Sequence, residues 1–149
     1  MNGSSKRALR RPFNWGVVLV MDSDSADVPL RLDDSGVARS PTGMAFAVRH
    51  AQDVEAVGLA PDEPVPPFVV EVRVLPGPPD RATTVEHEIR VDSGAITVGD
   101  AEAEERLEVA PGEFLVSILL DDPAHAEHVT IWLTPEGAVG PRLGQATER

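Results

Sequence analysis

Apolar residues along this chain fall into short β-rich runs, and there is almost no three-to-four spacing of an amphipathic helix, Asp100 to Glu105 supporting at most one helical turn. Between Ile96 and Leu133 the runs are densest: Ile96-Thr97-Val98, an acidic connection, Leu107-Glu108-Val109, the turn Pro111-Gly112, the stretch Phe114 to Leu120, and Val129-Thr130-Ile131-Trp132-Leu133. Such runs, punctuated by turn residues, predict packed antiparallel strands. Phe114 to Leu120 is apolar on both faces, as a strand inside a covered sheet must be.

The earlier part of the chain follows the same rule. Trp15 to Met21 predicts a first strand, with Val18 and Val20 on one face and Val17, Leu19 and Met21 on the other. Val28-Pro29-Leu30-Arg31-Leu32 predicts a short edge strand, because proline lacks the N–H a central ladder needs. Asp33-Asp34-Ser35-Gly36 reads as a turn, and Met44, Phe46 and Val48 point inward from the next run. Gln52 to Leu59 fits either a strand or a helical turn, and Pro61, Pro64, Pro66 and Pro67 impose an extended connection. Phe68 to Leu75 and Val85 to Val91 alternate strictly, the second placing Val85, His87, Ile89 and Val91 opposite Glu86, Glu88 and Arg90. Such alternation marks a half-solvated antiparallel strand.

The count is about nine strands with little helix, and it predicts an all-β fold: an antiparallel β-sandwich of Greek-key or jelly-roll type rather than a closed barrel. Residues 1–12 are basic and unpatterned, which predicts a flexible tail; residues 13–135 form a single sandwich domain; residues 136–149, rich in glycine, form a loosely ordered second tail.

Charge narrows the partners. The chain carries 13 basic and 25 acidic residues, a net −12, and Lys6, Arg7, Arg10 and Arg11 all lie in the acid-free N-terminal segment. A body that acidic repels phosphate backbones and anionic membranes and attracts basic proteins, so neither nucleic acid nor membrane is an expected partner. No cysteine is present, which removes disulfides and thiol chemistry and points to the cytoplasm. Arg10-Arg11-Pro12-Phe13 has the look of a twin-arginine signal, but the apolar run behind it is short and no Ala-x-Ala site follows.

Candidate chemistry is sparse. Asp22, Asp24 and Asp27 alternate as calcium-binding carboxylates do, yet an EF-hand glycine and glutamate are missing from the sixth and twelfth places, held by Asp27 and Asp33. His125 and His128, three apart beside Asp121, Asp122 and Glu127, lack the helical zincin spacing and read as a solvated loop. His87 reads as a satisfied histidine inside or between sheets, and His50 has no partner set. No serine sits in a nucleophile elbow and no phosphate-binding glycine loop is present, so no enzyme, metal or cofactor is expected. The acidic series Asp100, Glu102, Glu104, Glu105 and Glu108 is relieved only by Arg106; it is a solvated loop or a landing site for a basic protein.

One resemblance joins these pieces. Val17-Val18-Leu19-Val20-Met21-Asp22-Ser23, Gly43-Met44-Ala45-Phe46, Val85 to Val91, Ser93-Gly94-Ala95-Ile96-Thr97-Val98 and Leu107-Glu108-Val109-Ala110-Pro111-Gly112-Glu113-Phe114 together resemble the competence-protein-J type of nuclease inhibitor. The prolines from Pro61 to Pro67, Glu113-Phe114 at the turn exit and the basic N-terminus depart from it. The resemblance implies an acidic β-rich protein that binds and silences a basic nuclease. On that reading Asp100, Glu102, Glu104, Glu105, Asp121 and Asp122 are the partner-binding residues, with Trp132 as a hot spot if it is exposed. A sandwich that binds sugar or calcium through its end loops, or an accessory structural subunit, are the alternatives. The small aromatic count, two Trp, four Phe and no Tyr, speaks against sugar stacking.

Overall fold

The alternating runs become strands in a computed structural model, which describes residues 7–13, 15–26, 29, 31–50, 69–100, 104–123 and 125–136. Among the described residues ten strands form: β1 (Arg7–Arg11), β2 (Val17–Asp22), β3 (Val37–Ser40), β4 (Gly43–Ala47), β5 (Val70–Pro76), β6 (Val85–Val91), β7 (Ala95–Gly99), β8 (Glu104–Glu108), β9 (Gly112–Leu120) and β10 (His128–Pro135). They build two five-stranded sheets, in the orders β1-β5-β10-β9-β6 and β3-β4-β2-β7-β8, and the described residues contain no helix. The expected all-β sandwich is therefore observed.

The period of two decides what each sheet buries. Val70, Val72 and Val74 of β5, Phe114, Val116 and Ile118 of β9, and Val129, Ile131 and Leu133 of β10 meet Val18 and Val20 of β2, Met44 and Phe46 of β4 and Ile96 and Val98 of β7. Removing that apolar surface from water is the main favourable term for the fold. Gly43 lets β4 lie close to β2: a Cβ there would stand 2.6 Å from Met21 Cβ.

Strands β6 to β9 are the two legs of one long hairpin, folded over from the first sheet into the second. β6 pairs with β9 and β7 pairs with β8, and the legs bend together at residues 92–94 and 109–111. Gly94, at φ +87°, supplies one bend, and the Val109 N–H donates to its carbonyl at 2.9 Å. Asp22, at the end of β2, clamps the other side of that bend by accepting from the Asp92 N–H (3.1 Å), the Ser93 N–H (3.4 Å) and the Ser93 hydroxyl.

Several expectations are corrected. Arg7–Arg11 is not part of a flexible tail: it forms β1, antiparallel to β5, because Leu9 sits opposite Val72 and buries its side chain. The hairpin strand β3 was not foreseen; Pro29, Arg31 and Leu32 lie outside any strand, and the rest of the edge strand expected at 28–32 lies outside the described residues. The sheets are not wholly antiparallel, since β5 and β10 run parallel. Asp27, Gln52 to Leu59, Pro61 to Pro67, Phe68 and residues 137–149 also lie outside the described residues.

Candidate functional site

The two sheets are joined along one side by opposite charges. β1 is the edge of the first sheet and β8 the edge of the second, and Arg11 Nη2 lies 3.1 Å from Asp100 Oδ1, with Arg7 Nε 3.9 Å from Glu105 Oε1. Arg11 also lies over the ring of the buried Phe13, 4.7 Å from its centroid. Asp100 is 5% exposed. It is thus corrected from an exposed landing site to an internal counter-charge for the N-terminal strand.

The other predicted residues divide. Glu102 lies outside the described residues, and Glu104 and Glu105 belong to strand β8 rather than to a loop, where both are exposed with Glu108. Asp121 and Asp122 are exposed but shape their own loop. Asp121 accepts from the Glu127 and His128 N–H groups at 2.9 and 3.2 Å and faces His128 Nδ1 at 3.2 Å, while Asp122 accepts from the His125 N–H at 3.3 Å. Partial burial opposes ionisation of Asp121, yet these donors hold its pKa below the usual carboxylate value. Trp132 is 4% exposed, so the exposure its hot-spot role required is not met. Its neighbours Ile131 and Leu133 fill the core, and the alternation turns Trp132 to the outer face of the sheet.

Among the described residues, the aromatic that does reach solvent is Trp15, 69% exposed. It sits on a turn fixed on both sides. Phe13 ahead of it is fully buried, Gly16 behind it takes φ +67°, the Gly16 N–H donates to the Phe13 carbonyl at 3.0 Å, and the Val48 N–H donates to the Gly16 carbonyl at 2.9 Å. Leu19 pairs with Gly99, which pairs with Glu104, so Trp15 and the start of β8 share one end of the sheet. The Trp-Gly pair ahead of an apolar run was the available signal, read instead as the opening of a strand.

The remaining polar residues have structural employment. Asp22 is buried; burial opposes its charge, and the hydrogen bonds led by that from Ser93 outweigh it and hold its pKa low. His87 Nε2 lies 2.8 Å from the Ser40 carbonyl in the opposite sheet; a carbonyl only accepts, so this nitrogen carries the proton and the ring ties the sheets together. No group of three or more metal-ligating side chains is gathered among the described residues. Open clefts among the described residues include one of about 510 Å³ between the β3 and β6 edges, lined by Arg39, Val85, Glu86, Leu120 and Pro123 among others, and one of about 410 Å³ around Pro111, Phe114 and Pro135.

Fold and surface together define a two-sheet β-sandwich protein that presents, among its described residues, the exposed Trp15 and an acidic edge strand. No family model matches the chain, and no curated protein matches it. Among solved structures, it is similar to the crystal structure of ComJ, inhibitor of the DNA degrading activity of NucA, from Bacillus subtilis, with a TM-score of 0.54 and 13% identity over 89% of this chain and 98% of that one. It is also similar to crocagin biosynthetic gene J, with a TM-score of 0.48 and 13% identity over 89% of this chain and 97% of that one. The resemblance read in the sequence is met at the level of the fold. No helix among the described residues is long and apolar enough to cross a membrane.

Proposed function

We propose that this protein is a non-enzymatic binding module of the inhibitor type, acting in the cytoplasm on a basic partner protein, with a nuclease as the first partner to test. The observation that carries this reading is Trp15, a large apolar side chain 69% exposed beside a Gly16 that is hydrogen-bonded to Phe13 and Val48. Tryptophan is the residue type most enriched among interface hot spots, and a preorganised one loses little entropy when it docks. Glu104 and Glu105, at the end of β8 that shares a sheet end with Trp15, supply the negative charge that steers a cationic surface toward it. The likeness to an inhibitor in fold supports the class of activity, and the overall charge of −12 supports the sign of the partner.

The test is affinity capture on the full-length chain from lysate of the source cells, at low and moderate salt, in parallel with Trp15→Ala and Glu104→Lys/Glu105→Lys. A stoichiometric basic protein is expected, retained by the wild type, lost by Trp15→Ala, and slower to associate with the double variant. Its DNA cleavage should fall as the wild-type chain is titrated in. A partner captured equally well by Trp15→Ala, or one whose DNA cleavage is unchanged by the chain, would defeat the proposal.

A further inference from the structure

The opposite side of the sandwich from Arg11 and Asp100 is built differently. There the first sheet ends at β6 and the second at β3, and the two meet at the Ser40–Pro41 turn. The Arg90 N–H donates to the Pro41 carbonyl at 2.8 Å, and His87 reaches the Ser40 carbonyl. Because the Arg90 N–H points away from β9, the alternation of an antiparallel ladder turns the backbone groups of Glu88 and Glu86 outward as well. Those groups have no partner among the described residues.

Charge along this edge is lopsided. Arg90 is engaged twice, with Asp92 at 3.1 Å and Glu113 at 2.9 Å. Glu86 and Glu88 are exposed on the outer face of the sheet and have no cationic partner among the described residues; Glu86 accepts only a 3.3 Å bond from the Thr83 hydroxyl. On the inner side, the edge opens onto the 510 Å³ cleft, whose apolar part is Val85, Leu120 and Pro123.

We propose that this edge takes an extended segment of a partner protein as an added strand of the sheet, with cationic side chains at two alternate positions. Main-chain bonds to Glu86 and Glu88 supply the pairing, as in other cases of strand addition. The residues directly opposite them project to the same face as the two carboxylates, within reach of an ion pair. The residue opposite Val85 projects into the cleft and is apolar. The one opposite His87 is small, since His87 is already held against Ser40. In antiparallel order the segment therefore reads Arg-Ser-Arg-Val. This surface is the β6 edge of the first sheet, whereas Trp15 precedes β2, the central strand of the second.

The test uses the full-length chain and a fluorescein-labelled peptide Thr-Arg-Ser-Arg-Val-Thr, beside the same peptide methylated on both arginine backbone nitrogens. Anisotropy is expected to show saturable binding of the first. Methylation should weaken it at least about tenfold, because it removes two main-chain donors and leaves every charge in place. Glu86→Gln/Glu88→Gln should weaken binding, Trp15→Ala should leave it unchanged, and amide resonances of Glu86 and Glu88 should shift on titration. Equal affinity for the methylated peptide would mean charge adsorption alone and would overturn the proposal. So would the absence of binding, loss of binding in Trp15→Ala, or shifts confined to β8. Loss of binding in Trp15→Ala would assign the peptide to the Trp15 surface; every other outcome leaves capture of a partner through Trp15 untouched, so the two readings are distinguishable.

Discussion

Removal of the Asp100 carboxylate should cost the fold about 3 kcal/mol. Asp100→Ala leaves Arg11 facing the sandwich edge with its side chain only 20% exposed and its closest counter-charge, at 3.1 Å, gone. Breaking one half of a buried pair typically costs about 3 to 5 kcal/mol. The lower end applies because a fifth of the Arg11 side chain still reaches water and its guanidinium keeps the Phe13 ring. For a chain of this size that corresponds to a fall in Tm of about 6 to 12 °C. The assay is thermal and urea unfolding of the wild type, Asp100→Ala, Arg11→Ala and the double variant. The double variant should be no less stable than the sum of the singles and should recover a coupling of about 1.5 kcal/mol or more. A loss under about 1 kcal/mol in Asp100→Ala with zero coupling would refute the closed edge and return Asp100 to the solvated loop its sequence suggested.

Further outcomes follow from single contacts. Gly43→Ala should destabilise by about 1 to 3 kcal/mol in urea titration, since the new methyl would stand 2.6 Å from Met21 Cβ and the strands must part. His87→Phe should cost about 1 kcal/mol by loss of the bond to Ser40 while keeping ring volume, with no change in secondary structure by circular dichroism. Asp22, Asp33 and Asp121 all titrate below 3.8 when folded, Asp33 at about 2 because the Ser35 hydroxyl and the Val37 N–H donate to it. Depressed carboxylate values mean that the unfolded chain binds the proton first, so this stability is complete above 3.8 and is lost as pH falls toward 2. Melting temperature followed through that window should drop, and less steeply in Asp22→Asn.

Much of this architecture was legible because it is written locally. β6 announces itself through strict alternation from Val85 to Val91, and the buried and exposed positions fall where that alternation puts them. β1 was not legible, because an edge strand needs only one inward side chain, and Leu9 alone among basic neighbours leaves no periodic signal. Two of the candidate site residues, Asp100 and Trp132, were not legible for a different reason. Asp100 looks like the first residue of an acidic loop, and its burial depends on Arg11, remote in sequence and adjacent only after the sheets form. Trp132 sits in a run so apolar that sequence could not say which face carries the surplus. Trp15 opens a strand-like run in the sequence; the turn that lifts it out depends on Val48, whose N–H caps Gly16.

The parallel pairing of β5 with β10 has a consequence in time. β10 comes last of the ten strands in chain order, yet it lies at the centre of its sheet, between β5 with β1 on one side and β9 with β6 on the other. A ribosome that has released every strand but this one has released two halves of a sheet that do not touch. The second sheet, made of β2, β3, β4, β7 and β8, is already out by then, holding its apolar face open. Contacts this distant in sequence close slowly, so the nascent protein passes through an interval in which half of its core waits, in water, for a single strand.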